Sequence, residues 1–264
     1  ETEGKAGHRW WLWVCVAADT CAYLLDPTRS STVPQNHLGT TAKGILSADR
    51  YSAYKTLKNV QIAFCWAHVR RDFIRVRDGY RRLNGWGQSW VEKIEELFEL
   101  NARRLELRSL PKAFAAEDEA LRQALRAMVE LRDRELADGE LHEAQRKVLV
   151  SLCNHWKGLT IFADQPDIPM DNNEAERRLR NPIVGRKNYY GSGSVWSGRL
   201  SAMLFTLFQT LLLNRIDPKK FLLAYFQACA HHGGHPPQDM ASWLPWNLTA
   251  QQRAQWLYPK QQPP

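Results

Sequence analysis

Residues 170–183 read PMDNNEAERRLRNP. Three carboxylates (Asp171, Glu174, Glu176) and two amides (Asn172, Asn173) stand directly ahead of Arg177, Arg178, Arg180 and Asn181. Carboxylates are hard oxygen donors of the kind Mg²⁺ takes, and clustered arginines meet phosphate. Another acid, Asp49, ends the short apolar stretch KGILSAD at 43–49. A carboxylate at a strand end of an α/β sheet sits where ligands gather. One carboxylate from a strand end and one from a helix can converge on divalent metal. Two such ions, ~3.5–4 Å apart, can activate a water or hydroxyl and stabilise the leaving oxygen in phosphodiester displacement. Arg177, Arg178, Arg180, Arg186 and Lys187 would then hold the phosphate backbone.

Each of these residues also has a structural reading. Asp171-x-x-Glu174 is a capping box. Glu174 can pair with Arg178, and Glu176 with Arg180, at i,i+4. Pro182 predicts that the helix stops by Asn181. Glu176 is then the acid that helix initiation does not use. Asp49 could simply cap a helical turn beginning near Tyr51. Cys65-Trp66-Ala67-His68 could be half of a metal site. A structural zinc needs about two more ligands, and no second pair is present, so packing where strand meets helix is the plainer reading. GSGS at 191–194 lacks the lysine of a P-loop and reads as a connection.

Elements must bring these residues together. RWWLWVCVAA (9–18) reads as a strand buried on both faces, and CAYLLDP (21–27) as its hairpin partner. Strands are also expected at 43–49 and 60–68. A basic amphipathic helix follows at about 67–80, with Val69, Phe73, Val76 and Tyr80 on one stripe. From 86 to 162 the sequence is helical with mixed charges, as expected of a bundle inserted into an α/β domain. The apolar run at 200–213 is ~14 residues, short of the ~20 a spanning helix needs, and reads as a buried helix. The tail from 231 reads as an extended arm with a short helix near TAQQRAQWL. The net charge of +8 favours an anionic partner, nucleic acid first. Five scattered cysteines without a CxxC pair fit a reducing, cytoplasmic setting.

GHRWWLWV, GILSADRYSAYK, FCWAHVRRDF, DNNEAERRLRNPIVGRKNYYGSGSVWSG and the late WLPWN occur in that order. Together they resemble the insertion sequence 66 family of bacterial DDE transposases over nearly the whole chain. The resemblance implies an α/β fold: a ribonuclease-H-like mixed-sheet core interrupted by a helical insertion, with C-terminal helices and an extended tail. The parts would be 1–85 (first half of the core, its first strand missing), 86–162 (insertion), 163–230 (second half, with the catalytic Glu helix) and 231–264 (tail). It implies that Asp49 and Glu176 are catalytic metal ligands. Cys65 and His68 match a C-x-x-H signature, and Asn172 and Asn173 would support the site. Arg70, Arg71, Arg177, Arg180, Arg186 and Lys187 would contact DNA. Mg²⁺, two ions in an intact site, would be the cofactor, with Mn²⁺ as substitute. The partners would be transposon ends and target DNA, further copies of the chain on that DNA, and accessory proteins of the element, with no membrane. The protein would be cytoplasmic and bound at the nucleoid.

Two departures from the family pattern stand out. The first catalytic Asp, usually in a DET-like motif, would precede Glu1, so this chain is expected to be weak or inactive alone. ADRY replaces the usual DGY and sets Arg50 beside Asp49. Two rival functions remain: a non-catalytic DNA-binding remnant or domesticated fragment, and a ribonuclease-H-like nuclease that only hydrolyses.

Overall fold

A computed structural model of the chain describes residues 9–39, 41–189 and 191–258. In chain order these form β1 (Trp11–Val16), β2 (Cys21–Asp26), the short helix α1 (Thr32–Leu38), β3 (Gly44–Ala48), β4 (Val60–Phe64), α2 (Trp66–Gly79), α3 (Asn84–Glu106), α4 (Pro111–Leu136), α5 (Glu143–Leu159), α6 (Ile161–Asp164), α7 (Asn173–Tyr189), α8 (Val195–Leu213), α9 (Pro218–His231) and α10 (Ala250–Gln255). The protein is mixed α/β and mostly helical, with two small sheets. The motifs GHRWWLWV and RKNYYGSGSVWSGR extend in part beyond the described residues.

The chain divides into two compact units. One is Ser30–Asn172. Here β3 and β4 pair in parallel, Gly44 opposite Val60 and Ala48 opposite Phe64. A crossover with a 3₁₀ turn (Ser52–Thr56) joins them. Val69, Phe73 and Val76 of α2 are buried in the expected stripe. Tyr80 falls outside it: the helix ends at Gly79, and Tyr80 is 45% exposed. Phe73 stacks on Trp90 of α3 at 5.0 Å between centroids. Ile94, Leu97, Leu121, Leu149 and Leu152 complete a core shared by α2 to α5. Arg104, wholly buried, ties this bundle together, donating to Asn101, Asp118 and the carbonyls of Phe162 and Ala163. Gly158 lets α5 lie directly on β4, because a Cβ there would stand 2.5 Å from the Ile62 carbonyl oxygen.

The other unit joins the residues up to Arg29 with those from Asn173 onward. β1 and β2 form an antiparallel hairpin, Val16 opposite Cys21, closed by Ala17 N–H to Thr20 O at 2.8 Å. Leu12, Val14, Val16, Cys21, Tyr23 and Leu25 share one face and pack with Ala202 and Phe205 of α8. β1 is not buried on both faces as its composition suggests; all six of its residues are intermediate in exposure. The apolar run at 200–213 is likewise not fully buried. α8 turns Ala202, Gln209, Thr210 and Leu211 inward, while Met203 is 67% exposed. Its polar residues have specific work. Thr206 Oγ1 accepts the Tyr23 N–H at 2.8 Å and Thr210 Oγ1 the Cys21 N–H at 3.1 Å, so two hydroxyls one turn apart satisfy the backbone of β2. The tail packs as well as extends: Trp256 stacks on Trp243, 5.9 Å away, over Phe221.

Candidate active site

The Ser30–Asn172 unit holds Asp49, Cys65, His68 and Asn172. β3 ends at Ala48, so Asp49 emerges at its C-terminal end. There Oδ1 accepts the Tyr51 N–H at 3.0 Å, an Asx turn that opens the crossover. The 3₁₀ turn that follows is flanked by Tyr51 and has no side-chain cap, so Asp49 does not cap it as expected; it holds the Asx turn just ahead, which engages one carboxylate oxygen. Parallel pairing sets the end of β4 beside it, and the Cys65 N–H donates to the Ala48 carbonyl at 3.1 Å. Cys65 caps α2, is 1% exposed, and lies beside Asp171 and the backbone N–H groups of Asn172, His68 and Ala67. Burial pushes its thiol up despite those donors. It is held as a neutral thiol, which disfavours nucleophilic work. Trp66 N–H to the Met170 carbonyl, 2.9 Å, fixes the 170–172 segment on α2. Asn172 Oδ1 is buried there with no hydrogen-bond partner among the described residues.

Arg50 does not reach outward. It pairs with Asp72, donates to Ser151 Oγ at 2.8 Å and approaches the His68 carbonyl at 3.4 Å. The ADRY arginine thus pins the loop after Asp49 to α2 and α5. Arg71 is exposed on α2, while Arg70 is half-buried and donates to Glu95 at 3.0 Å.

Asn173, Glu176, Arg177, Arg180, Arg186 and Lys187 belong to the other unit, on α7. Two expectations for this helix need correction. It begins at Asn173, so the residue flanking its start is Asn172, not Asp171, and Glu174 does not stand at the third helical position. Glu174 is used later in the helix instead, pairing with Arg178 at 2.6 Å and Arg177 at 3.3 Å. Nor does the helix stop at Asn181: it continues to Tyr189 with Pro182 inside it. Glu176, Arg177, Arg180, Ile183, Val184 and Lys187 are all exposed, and helical periodicity sets them on one face. Arg178 faces the opposite way. Its Nη1 donates to Gln209 Oε1 at 2.9 Å, and its carbonyl accepts from the Tyr23 hydroxyl at 2.8 Å. Of the basic residues set against phosphate by their sequence, Arg178 is committed to the interior.

Among the described residues no group of three or more His, Cys, Asp or Glu side chains is gathered as a metal cage. Sequence reasoning missed Tyr23, Gln209 and the anchoring role of Arg178. The available signal was a proline in a segment whose helical periodicity runs on past it.

The chain belongs to the Transposase IS66 family, whose model matches residues 1–200. Among curated proteins it is similar to the uncharacterized proteins y4jD, y4hP and y4qI of Sinorhizobium fredii (strain NBRC 101917 / NGR234). The first is 29% identical over 258 residues, covering 92% of this chain and 48% of that protein. The second is 29% identical over 262 residues (90% and 47%), and the third 28% over 259 (90% and 47%). The chain thus spans about half the length of the curated relatives it matches. No solved structure matches it. No described helix is long and apolar enough to cross a membrane.

Proposed function

We propose that the chain is catalytic machinery of a DNA transposase that performs Mg²⁺-dependent phosphodiester hydrolysis and strand transfer at transposon ends. The observation that carries this reading is the family match over residues 1–200. In this reading the fold is ribonuclease-H-like. The hairpin β1–β2 and the parallel pair β3–β4 are two of the pairings such a sheet needs, and the helices between 86 and 162 are its insertion. Residues 1–85 and 163–230 form the core, and 231–264 the tail.

The residues present suit the metal. Asp49 and Glu176 are hard oxygen donors; Asp49 has Oδ2 outside its Asx turn, and Glu176 is exposed. Mg²⁺ takes one or two protein carboxylates and completes its shell with water and phosphate oxygens. Two ions, with Mn²⁺ as substitute, would need a further carboxylate beside Asp49 and Glu176. When bound, the metal lowers the pKa of the attacking water or hydroxyl and offsets charge on the leaving oxygen. Arg177, Arg180 and Lys187 neutralise backbone phosphates along the Glu176 face of α7. Arg186 adds to that contact from α7, and Arg71, with Arg70 once released from Glu95, meets phosphate from α2. Cys65, His68 and Asn172 hold the strand ends that present Asp49, and Asn173 opens the helix that presents Glu176. The 3′ hydroxyl freed by hydrolysis then attacks a target-DNA phosphorus, and as the new P–O bond forms the P–O bond to the target strand's own 3′ oxygen breaks, that oxygen leaving as a hydroxyl. The active form is a multimer on paired ends, with accessory proteins of the element, working in the bacterial cytoplasm at the nucleoid.

The test is cleavage and joining of transposon-end duplexes by the full-length gene product. Asp49→Asn and Glu176→Gln are each expected to reduce cleavage about 10²-fold or more, since metal contributes several kcal/mol, while DNA binding persists. Undiminished cleavage by either variant overturns the reading. Cutting without joining favours a nuclease. The Asx turn of Asp49 favours a second reading, a DNA-binding remnant in which Asp49 is only structural. DNA binding and stability indifferent to Mg²⁺, together with no cleavage, would mark it.

A further inference from the structure

We infer that Tyr23 is a positioning residue that carries α7 through Pro182 and so aligns the acidic and basic halves of that helix. The alignment matters for function on the reading proposed above; the device itself stands on geometry alone.

Proline inside a helix has no N–H for the carbonyl four residues back, and its ring crowds that carbonyl. Helices therefore kink or end there, at a cost of ~3 kcal/mol or more. The carbonyl left over by Pro182 is that of Arg178. The Tyr23 hydroxyl donates to it at 2.8 Å, from β2, 155 positions away in sequence. Tyr23 is 4% exposed and Pro182 is buried, so water is a poor substitute donor. Burial raises the Tyr23 phenol well above its ordinary range, so it stays a protonated donor at any working pH. The same residue is held by its side chain: Arg178 Nε donates to Glu174 at 2.8 Å and Nη1 to Gln209 at 2.9 Å. Backbone and side chain of Arg178 are thus anchored on the face opposite Glu176. Beyond the proline lie Arg186 and Lys187, whose direction relative to Glu176 and Arg180 depends on how the helix passes this point.

A double-mutant cycle with Tyr23→Phe and Pro182→Ala tests the device in the 264-residue chain. Tyr23→Phe removes the donor and is expected to lower Tm by about 3–8 °C, from an unsatisfied buried carbonyl and the size of the chain. Pro182→Ala restores an N–H for the Arg178 carbonyl, so the same Tyr23→Phe change made in that background should cost less than about a third as much. Equal costs in both backgrounds overturn the device. The second readout is the salt dependence of binding to a duplex, taken at a temperature where every variant is folded by circular dichroism. Tyr23→Phe is expected to flatten the slope of log K against log salt by about 1–2, the share of Arg186 and Lys187, and the double variant to regain it. A slope unmoved by Tyr23→Phe overturns the positioning role. A wild-type chain that shows no salt-dependent DNA binding instead contradicts the proposed function and the positioning role that depends on it, while the Tm cycle still decides the device.

Discussion

The two acids in the first turn of α7 stand in different surroundings, although only one residue separates them. Glu174 is engaged by Arg177 and Arg178, and Arg178 is anchored in turn by Gln209. Glu176 lies on the exposed basic face. Glu174→Ala should therefore cost less than about 1 kcal/mol of stability, because Glu174 is half exposed, and leave metal-dependent cleavage within a few-fold. Glu176→Ala should leave stability nearly unchanged and reduce cleavage strongly. Thermal melts and cleavage assays on the pair separate the roles. Another residue sets a pH limit. His155 packs edge-on against Phe64, 4.8 Å between centroids, with Nδ1 at 2.7 Å from the Ser151 carbonyl. Burial, the largest influence, lowers its pKa from the ordinary 6.5; the Ser151 bond comes next and raises it, and the charges of Lys55 and Arg50 lower it further, for a net fall. The unfolded chain takes up the proton first as pH falls, so this contribution to stability is complete above about 6.5 and is lost below it as pH moves toward the folded value. Melts from pH 8 to 5 should show a decline that His155→Phe reduces.

At the level of elements, the sequence made the strands and the inserted helices readable, because alternation, apolar runs and helical stripes are local signals. The short apolar stretches at 43–49 and 60–68 read as strands, but that they pair with each other, and in parallel, is visible only in the structure. What stayed hidden depended on partners far along the chain. Pro182 reads locally as a stop; only the Tyr23 hydroxyl makes it a passage. Thr206 and Thr210 read as polar interruptions of an apolar helix, and only the hairpin shows that they satisfy β2. Arg178 reads as one more phosphate ligand until Gln209 is placed beside it. Thr206→Val with Thr210→Val strands two backbone donors and should cost about 1–3 kcal/mol for each, measured by chemical denaturation. Gly158→Ala sets a methyl against the Ile62 carbonyl and Phe64 ring, and should force α5 off β4 at a cost of about 1–3 kcal/mol.

At the scale of the molecule, the acids proposed for chemistry lie in different compact units, Asp49 in Ser30–Asn172 and Glu176 beyond it. The proposed metal-dependent chemistry requires a carboxylate from each. Fe²⁺ in place of Mg²⁺, with ascorbate and peroxide, generates hydroxyl radicals that cut the backbone beside bound metal. On the full-length gene product with duplex DNA, the account predicts cuts near Asp49 and near Glu176 together. Mg²⁺ should compete both away, and either Asp49→Asn or Glu176→Gln should abolish both. Cuts at one place only, or cuts at the two places lost independently of each other, would contradict it.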